Sequence, residues 1–137
     1  MGGPEERVSR GGGLSSYESA DGKTLFFLRE AGESQLALLM ALPLAGGPER
    51  KVVDCVEGGN GFTVGPAGVY HLGCTANWRA GPVPLYLLDP ATGRDRLLGK
   101  LEAANGAMTV SPDGKTILYT KHFLSEGNDL MMIENFR

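Results

Sequence analysis

The sequence has few of the residues that announce a chemistry outright. Among 137 residues there are two cysteines, two histidines and one tryptophan. Cys55 and Cys74 show no CxxC spacing and no paired histidine motif, so a zinc site is poorly supported. Their separation leaves open a disulfide or two buried thiols. No apolar run approaches the ~20 residues of a membrane helix, and the longest, Leu36 to Ala45, is interrupted by Pro43. There is no basic excess either. Thirteen Lys and Arg against 16 Asp and Glu give a net charge of −3, which argues against gripping nucleic acid through the overall field. Met1 to Arg7 is polar and acidic, without the apolar core of a signal peptide. A cytoplasmic location is therefore the default expectation, and the periplasm stays open for a chain cut from a longer one. Asn60, Asn77, Asn105, Asn128 and Asn135 all lack Ser or Thr two residues on, so no glycosylation acceptor is present. No metal and no cofactor are expected.

What is abundant is glycine, at 21 residues with no collagen period. That pattern suggests many turns between short strands. The search for repeats gives these turns an address. Ser19-Ala20-Asp21-Gly22-Lys23-Thr24 recurs as Ser111-Pro112-Asp113-Gly114-Lys115-Thr116, with Gly65-Pro66-Ala67-Gly68 between them. Gly22, Gly68 and Gly114 are spaced evenly by 46 residues, beside the ~40–50-residue period of propeller blades.

Apolar runs flank each turn: Leu25 to Leu28, Val69 to Leu72 and Ile117 to Thr120 follow it. Third strands are expected at Leu39 to Leu44, Leu85 to Asp89 and Leu130 to Glu134, and charged fourth strands at Arg50 to Val53 and Arg94 to Leu98. The third unit has no fourth strand of its own, and Pro4-Glu5-Glu6-Arg7-Val8 resembles Pro48-Glu49-Arg50-Lys51-Val52. Residues 1–137 thus divide into units at about 11–56, 57–101 and 102–137, with 4–10 expected as the outer strand of the last. The expected fold is an all-β propeller with three four-stranded blades.

These residues also carry a family resemblance. Ser111 to Thr120, Ser-Pro-Asp-Gly-Lys-Thr-Ile-Leu-Tyr-Thr, resembles the signature of TolB-like (PD40-type) β-propeller repeats. Asn128 to Arg137 resembles the closing segment of bacterial proteins, abundant in Acidobacteria, that join a winged helix to such a propeller. Leu85 to Gly93 and Leu42 to Gly47 fit the repeat too. The middle unit departs from it, with Ala67 in place of Asp and a turn shorter by the Lys-Thr pair. The family typically has six or more blades. The resemblance covers the propeller repeats alone, so it implies no DNA binding.

Three blades do not close a ring, since propellers have typically 4–8. An open arc exposes two apolar faces and an unpaired edge. A homodimer forming one six-bladed ring would cover both faces at once, with the N-terminal strand placed in its own chain or swapped.

No catalytic constellation is legible. Gly22-Lys23-Thr24 and Gly114-Lys115-Thr116 lack the earlier glycine of a phosphate-binding loop and precede strands, not helices. Asp21 and Asp113 lack the clustered oxygens of a calcium loop and fit turns. Gly13 to Tyr17 is no nucleophile elbow. His71 and His122 have no recognisable triad partners, so a structural or solvent-facing role is favoured for each. The loop Cys74 to Pro82 holds the only tryptophan. Asn60, Asn77, Trp78, Arg79, Asn105 and His122 are the expected contact residues, on loops that share one face. The expected function is a non-catalytic binding module, the sensory or protein-contacting part of a regulator. The alternatives are a hydrolase or lyase at the channel mouth, or a structural fragment without activity. Partners would be a second copy, and another protein or small ligand at the channel mouth, with no nucleic acid and no membrane.

Overall fold

Among the described residues, alternating apolar runs separated by glycine turns become eleven strands in three antiparallel sheets. The computed structural model describes residues 2–32, 36–77, 81–123 and 127–135. The first sheet joins β1 (Ser16–Glu18), β2 (Thr24–Glu30), β3 (Ala37–Pro43) and β4 (Arg50–Val56) in chain order. The second joins β5 (Phe62–Gly65), β6 (Gly68–Leu72), β7 (Pro82–Asp89) and β8 (Arg94–Glu102). The third joins β9 (Ala104–Val110), β10 (Thr116–Phe123) and β11 (Gly127–Glu134). Every expected strand within the three units is present. The N-terminal segment differs: residues 4–10 form no strand in the chain.

The registers of the first and third sheets correspond position by position. Thr24 pairs with Pro43, Phe26 with Ala41 and Leu28 with Leu39. In the third sheet Thr116 pairs with Glu134, Leu118 with Met132 and Thr120 with Leu130. The equal spacing follows from the identical turns that precede β2 and β10. A one-residue slip would send every side chain to the opposite face, so this correspondence fixes which residues look toward the next sheet.

The core lies between the sheets in two layers. Phe26, Leu28, Leu39 and Ala41 of the first sheet pack with Phe62, Val69 and Leu88 of the second. Tyr70, Leu72, Val83 and Leu85 of the second pack with Met108, Ile117 and Tyr119 of the third. Period-2 alternation in β6 supplies both layers, with Val69 on one face and Tyr70 on the other. Between sheets the backbones approach along the first strands, β1 with β5 and β5 with β9. Tyr17 meets Phe62 edge-on there, with ring centroids 5.2 Å apart.

The two outer faces of this stack differ. On the first sheet, Phe27 and Met40 point away from the second sheet and are nonetheless buried. The chain before β1 covers them. Leu14 N–H donates to Leu28 O at 2.7 Å. Gly13 lies against the Phe27 ring, where an added Cβ would stand 3.4 Å from it. Arg10 N–H donates to Glu49 Oε1 at 2.8 Å. Arg29 pairs with Glu49 at 2.5 Å and sits over Phe27, 5.4 Å from the ring centroid. These contacts hold Glu49 below the ordinary carboxylate range, chiefly through the Arg29 hydrogen bond and then the Arg10 amide. On the third sheet the corresponding surface leaves Leu130 and Met132 exposed.

Candidate functional site

Three polar constellations stand out, at the two ends of the stack and within its middle sheet. The turn end is built from the repeated Ser-x-Asp-Gly-Lys-Thr. Ser19 Oγ donates to Asp21 Oδ1 at 2.6 Å, and that oxygen accepts Lys23 N–H at 3.0 Å. Ser19 Oγ also accepts Thr24 N–H at 3.0 Å. Ser111, Asp113, Lys115 and Thr116 repeat these bonds at the same distances. Gly22 and Gly114 have φ of 68° and 72°, a conformation that glycine adopts at little cost. Asp21 and Asp113 are both held below the usual carboxylate range, first by the serine hydroxyl and then by the lysine amide. The acidic oxygens are thus spent on their own backbone, which accounts for the motif without phosphate or calcium. A cleft of about 420 Å³ opens beside this end, between the Ser19–Asp21 turn and the Gly65–Gly68 turn.

The opposite end is built from the connections between sheets. Val56 bridges to Gly73, bringing the end of β4 beside the end of β6. That approach sets the Cα atoms of Cys55 and Cys74 5.8 Å apart, and the two form a disulfide. Glu57 follows directly and is buried, 4% exposed. Its Oε2 accepts Thr75 N–H at 3.2 Å. Burial pushes this carboxyl up from its ordinary pKa, and the Thr75 amide offsets part of the rise. Ser15 Oγ donates to Gly59 O at 2.8 Å, tying the connection to the start of the first sheet. Gly58 lies against Gly106 of β9, where an added Cβ would stand 3.2 Å from its Cα.

The third constellation is His71, 2% exposed, on β6. Its Nε2 lies 3.0 Å from both carboxylate oxygens of Asp95 on β8. The imidazole stacks on Tyr86 of the intervening β7, with centroids 5.2 Å apart and planes at 12°. Its Nδ1 is buried without a hydrogen-bond partner. In the neutral ring Nε2 carries the proton toward Asp95. Among the described residues no group of three or more His, Cys, Asp and Glu side chains could hold a metal ion.

The expected contact residues are brought together only in part. Asn60 and Asn77 are exposed at the connection end. Asn105 is on β9, and His122, near the end of β10, donates its backbone N–H to Ala103 O at 2.9 Å. Asn105 and His122 therefore share one end of the third sheet, and the Gly58–Gly106 approach brings the Glu57–Gly61 connection beside them. Trp78 and Arg79 lie outside the described residues. Sequence reasoning passed over Glu57 and Asp95. No local pattern marks Glu57, whose burial arises from the crossing between two sheets. His71 had a signal, its same-face spacing from Val69, which is a buried apolar position. Arg29, near the end of β2, is held in an ion pair with Glu49.

Compared with protein-family models and with curated protein sequences, the chain matches none. What geometry defines is the class: an all-β protein of three small antiparallel sheets stacked in series.

Proposed function

We propose that the chain is a non-catalytic interaction module, a three-blade β-propeller segment of the TolB-like kind. Two copies associate head to tail around a two-fold axis to complete a six-bladed ring. The observation that carries this reading is a mismatch between equivalent positions. Leu39 and Ala41 on β3 are 0% and 1% exposed against the second sheet, whereas their register equivalents on β11, Leu130 and Met132, are 74% and 59% exposed. Residues chosen for a buried layer thus face outward on the third sheet. Contiguous exposed apolar surface of this kind marks an interaction site, and a second copy offers the matching first sheet. Sequential sheets that approach along their first strands support a radial arrangement. The Cys55–Cys74 disulfide supports an oxidising compartment over the cytoplasm. In the ring, Asn60, Asn77, Trp78, Arg79, Asn105 and His122 would border the channel mouth and meet a protein or small ligand. Sedimentation equilibrium tests the core of the reading. The expected result is a 29 kDa dimer (about twice the 14.5 kDa chain), converted to monomer by Leu130→Asp. A folded monomer for the unaltered chain rejects it.

A further inference from the structure

We infer that the free edge of β11 is the docking site for residues 4–10 of a second copy of this chain, added as a fourth strand. The inference rests on the ring reading above and names the segment that seals each junction. Three observations lead to it. First, β11 occupies the position of β3, as their registers establish. The strand that pairs with β3 is β4, through Met40–Lys51 and Leu39–Val53. Pro4 to Val8 resembles Pro48 to Val52, which leads into β4. The same alignment sets Arg7 opposite Met131 and Ser9 opposite Leu130.

Second, the segment cannot reach its own β11. Leu14 is bonded to Leu28 on the first sheet. From Gly13 back to Val8 the chain spans at most about 18 Å when fully extended. The third sheet lies two sheet spacings away, about 20 Å, and β11 is two strands farther out, for about 22 Å in all. In a ring, however, the third sheet of one copy adjoins the first sheet of the other. The partner's segment then starts at the junction itself.

Third, the segment stands where the junction must form. In the single chain, residues 10–14 cover Phe27 on the outer face of the first sheet. Glu6, Arg7 and Val8 flank a cleft with Leu42, Pro43 and Glu49 beside that face. The partner's third sheet needs the same surface, so the cover has to move. Gly11-Gly12-Gly13 supplies the hinge, with Gly12 already at φ 78°. The same register sets Arg10 of the moving segment opposite Asp129 of β11.

The test compares the unaltered chain with two variants by sedimentation and non-reducing electrophoresis. Val8→Pro places a residue without an N–H and with fixed φ inside the added strand. It leaves the single chain intact, because residues 4–10 form no strand there. The expected result is dimerisation weakened about tenfold or more, with an unchanged circular dichroism spectrum. In the Arg7→Cys/Met131→Cys variant, mild oxidation is expected to yield a covalent dimer. An equally tight Val8→Pro dimer overturns the docking of this segment and leaves the ring standing. A cross-link within one chain, or none, overturns it as well. A monomeric unaltered chain overturns both readings.

Discussion

His71 on β6 reaches over the ring of Tyr86 on β7 to place Nε2 3.0 Å from both carboxylate oxygens of Asp95 on β8. One side chain thereby ties three strands of the second sheet. The bond lies on the face of β6 that looks toward the first sheet, so it belongs to the layer that joins the two.

Removing the acceptor leaves two imidazole nitrogens buried without partners, since Nδ1 already has none. Asp95→Ala is therefore expected to destabilise the fold by about 1–2 kcal/mol, tempered by the partial exposure of Asp95. Urea denaturation followed by circular dichroism measures it. His71→Phe, which keeps the stack on Tyr86 and removes the need for a partner, is expected to cost less than Asp95→Ala. The reverse order would mean that the hydrogen bond contributes little and the ring packing dominates.

The repeated turns offer an internal comparison. Ser111→Ala removes three hydrogen bonds around one hydroxyl, at a cost of about 1 kcal/mol because all are near solvent. Ser19→Ala removes the same set and is expected to cost the same. The pH dependence follows from the lowered carboxyls. Asp21 and Asp113 contribute stability that is present above the ordinary Asp pKa of 3.8 and lost as pH falls through their lower folded values. The Asp21→Asn/Asp113→Asn double variant should show a shallower loss of stability below about pH 4. An unchanged acid limb would remove the two turns from the account of acid unfolding.

The disulfide closes a sequence separation of 19 residues. Chain-entropy reasoning puts its contribution at about 3 kcal/mol. Thermal melts with and without reductant are expected to differ by roughly 10 °C for a chain of this size. A Cys55→Ala/Cys74→Ala chain should melt with the reduced protein and show no response to reductant. A melt indifferent to reductant in the unaltered chain would mean that Val56–Gly73 pairing alone holds the junction.

The strands were legible because their signals are local. An Asp-Gly turn needs only its own six residues, and period-2 alternation reveals a half-buried strand wherever it lies. Ser111 to Thr120 therefore announced both its turn and its strand. The pairing of Cys55 with Cys74 was not legible, since it depends on the β4 and β6 ends meeting at Val56 and Gly73. Which chain the N-terminal segment would pair with was not legible for a related reason. Its likeness to Pro48 to Val52 speaks of a partner strand, and not of which sheet lies within reach. Arg29 and Glu49, 20 residues apart, instead draw Arg10 onto the first sheet.

Glu57 gives the last prediction, and its sign is opposite to that of the turn aspartates. Its carboxyl is raised by burial, so the folded state favours the protonated form. Its contribution is fully present below the ordinary Glu pKa of 4.5 and is lost as pH rises through the raised folded value. The buried carboxyl accepts a hydrogen bond from the Thr75 amide. Glu57→Gln keeps an oxygen for Thr75 and removes the charge. The variant is expected to be more stable than the unaltered chain at pH 7 and no more stable at pH 4. Denaturation at the two pH values measures it. Equal stability at pH 7 would mean that water reaches the carboxylate. A loss of ligand or partner binding in the stabilised variant would mark Glu57 as a residue retained for contact at the connection end, at the expense of stability.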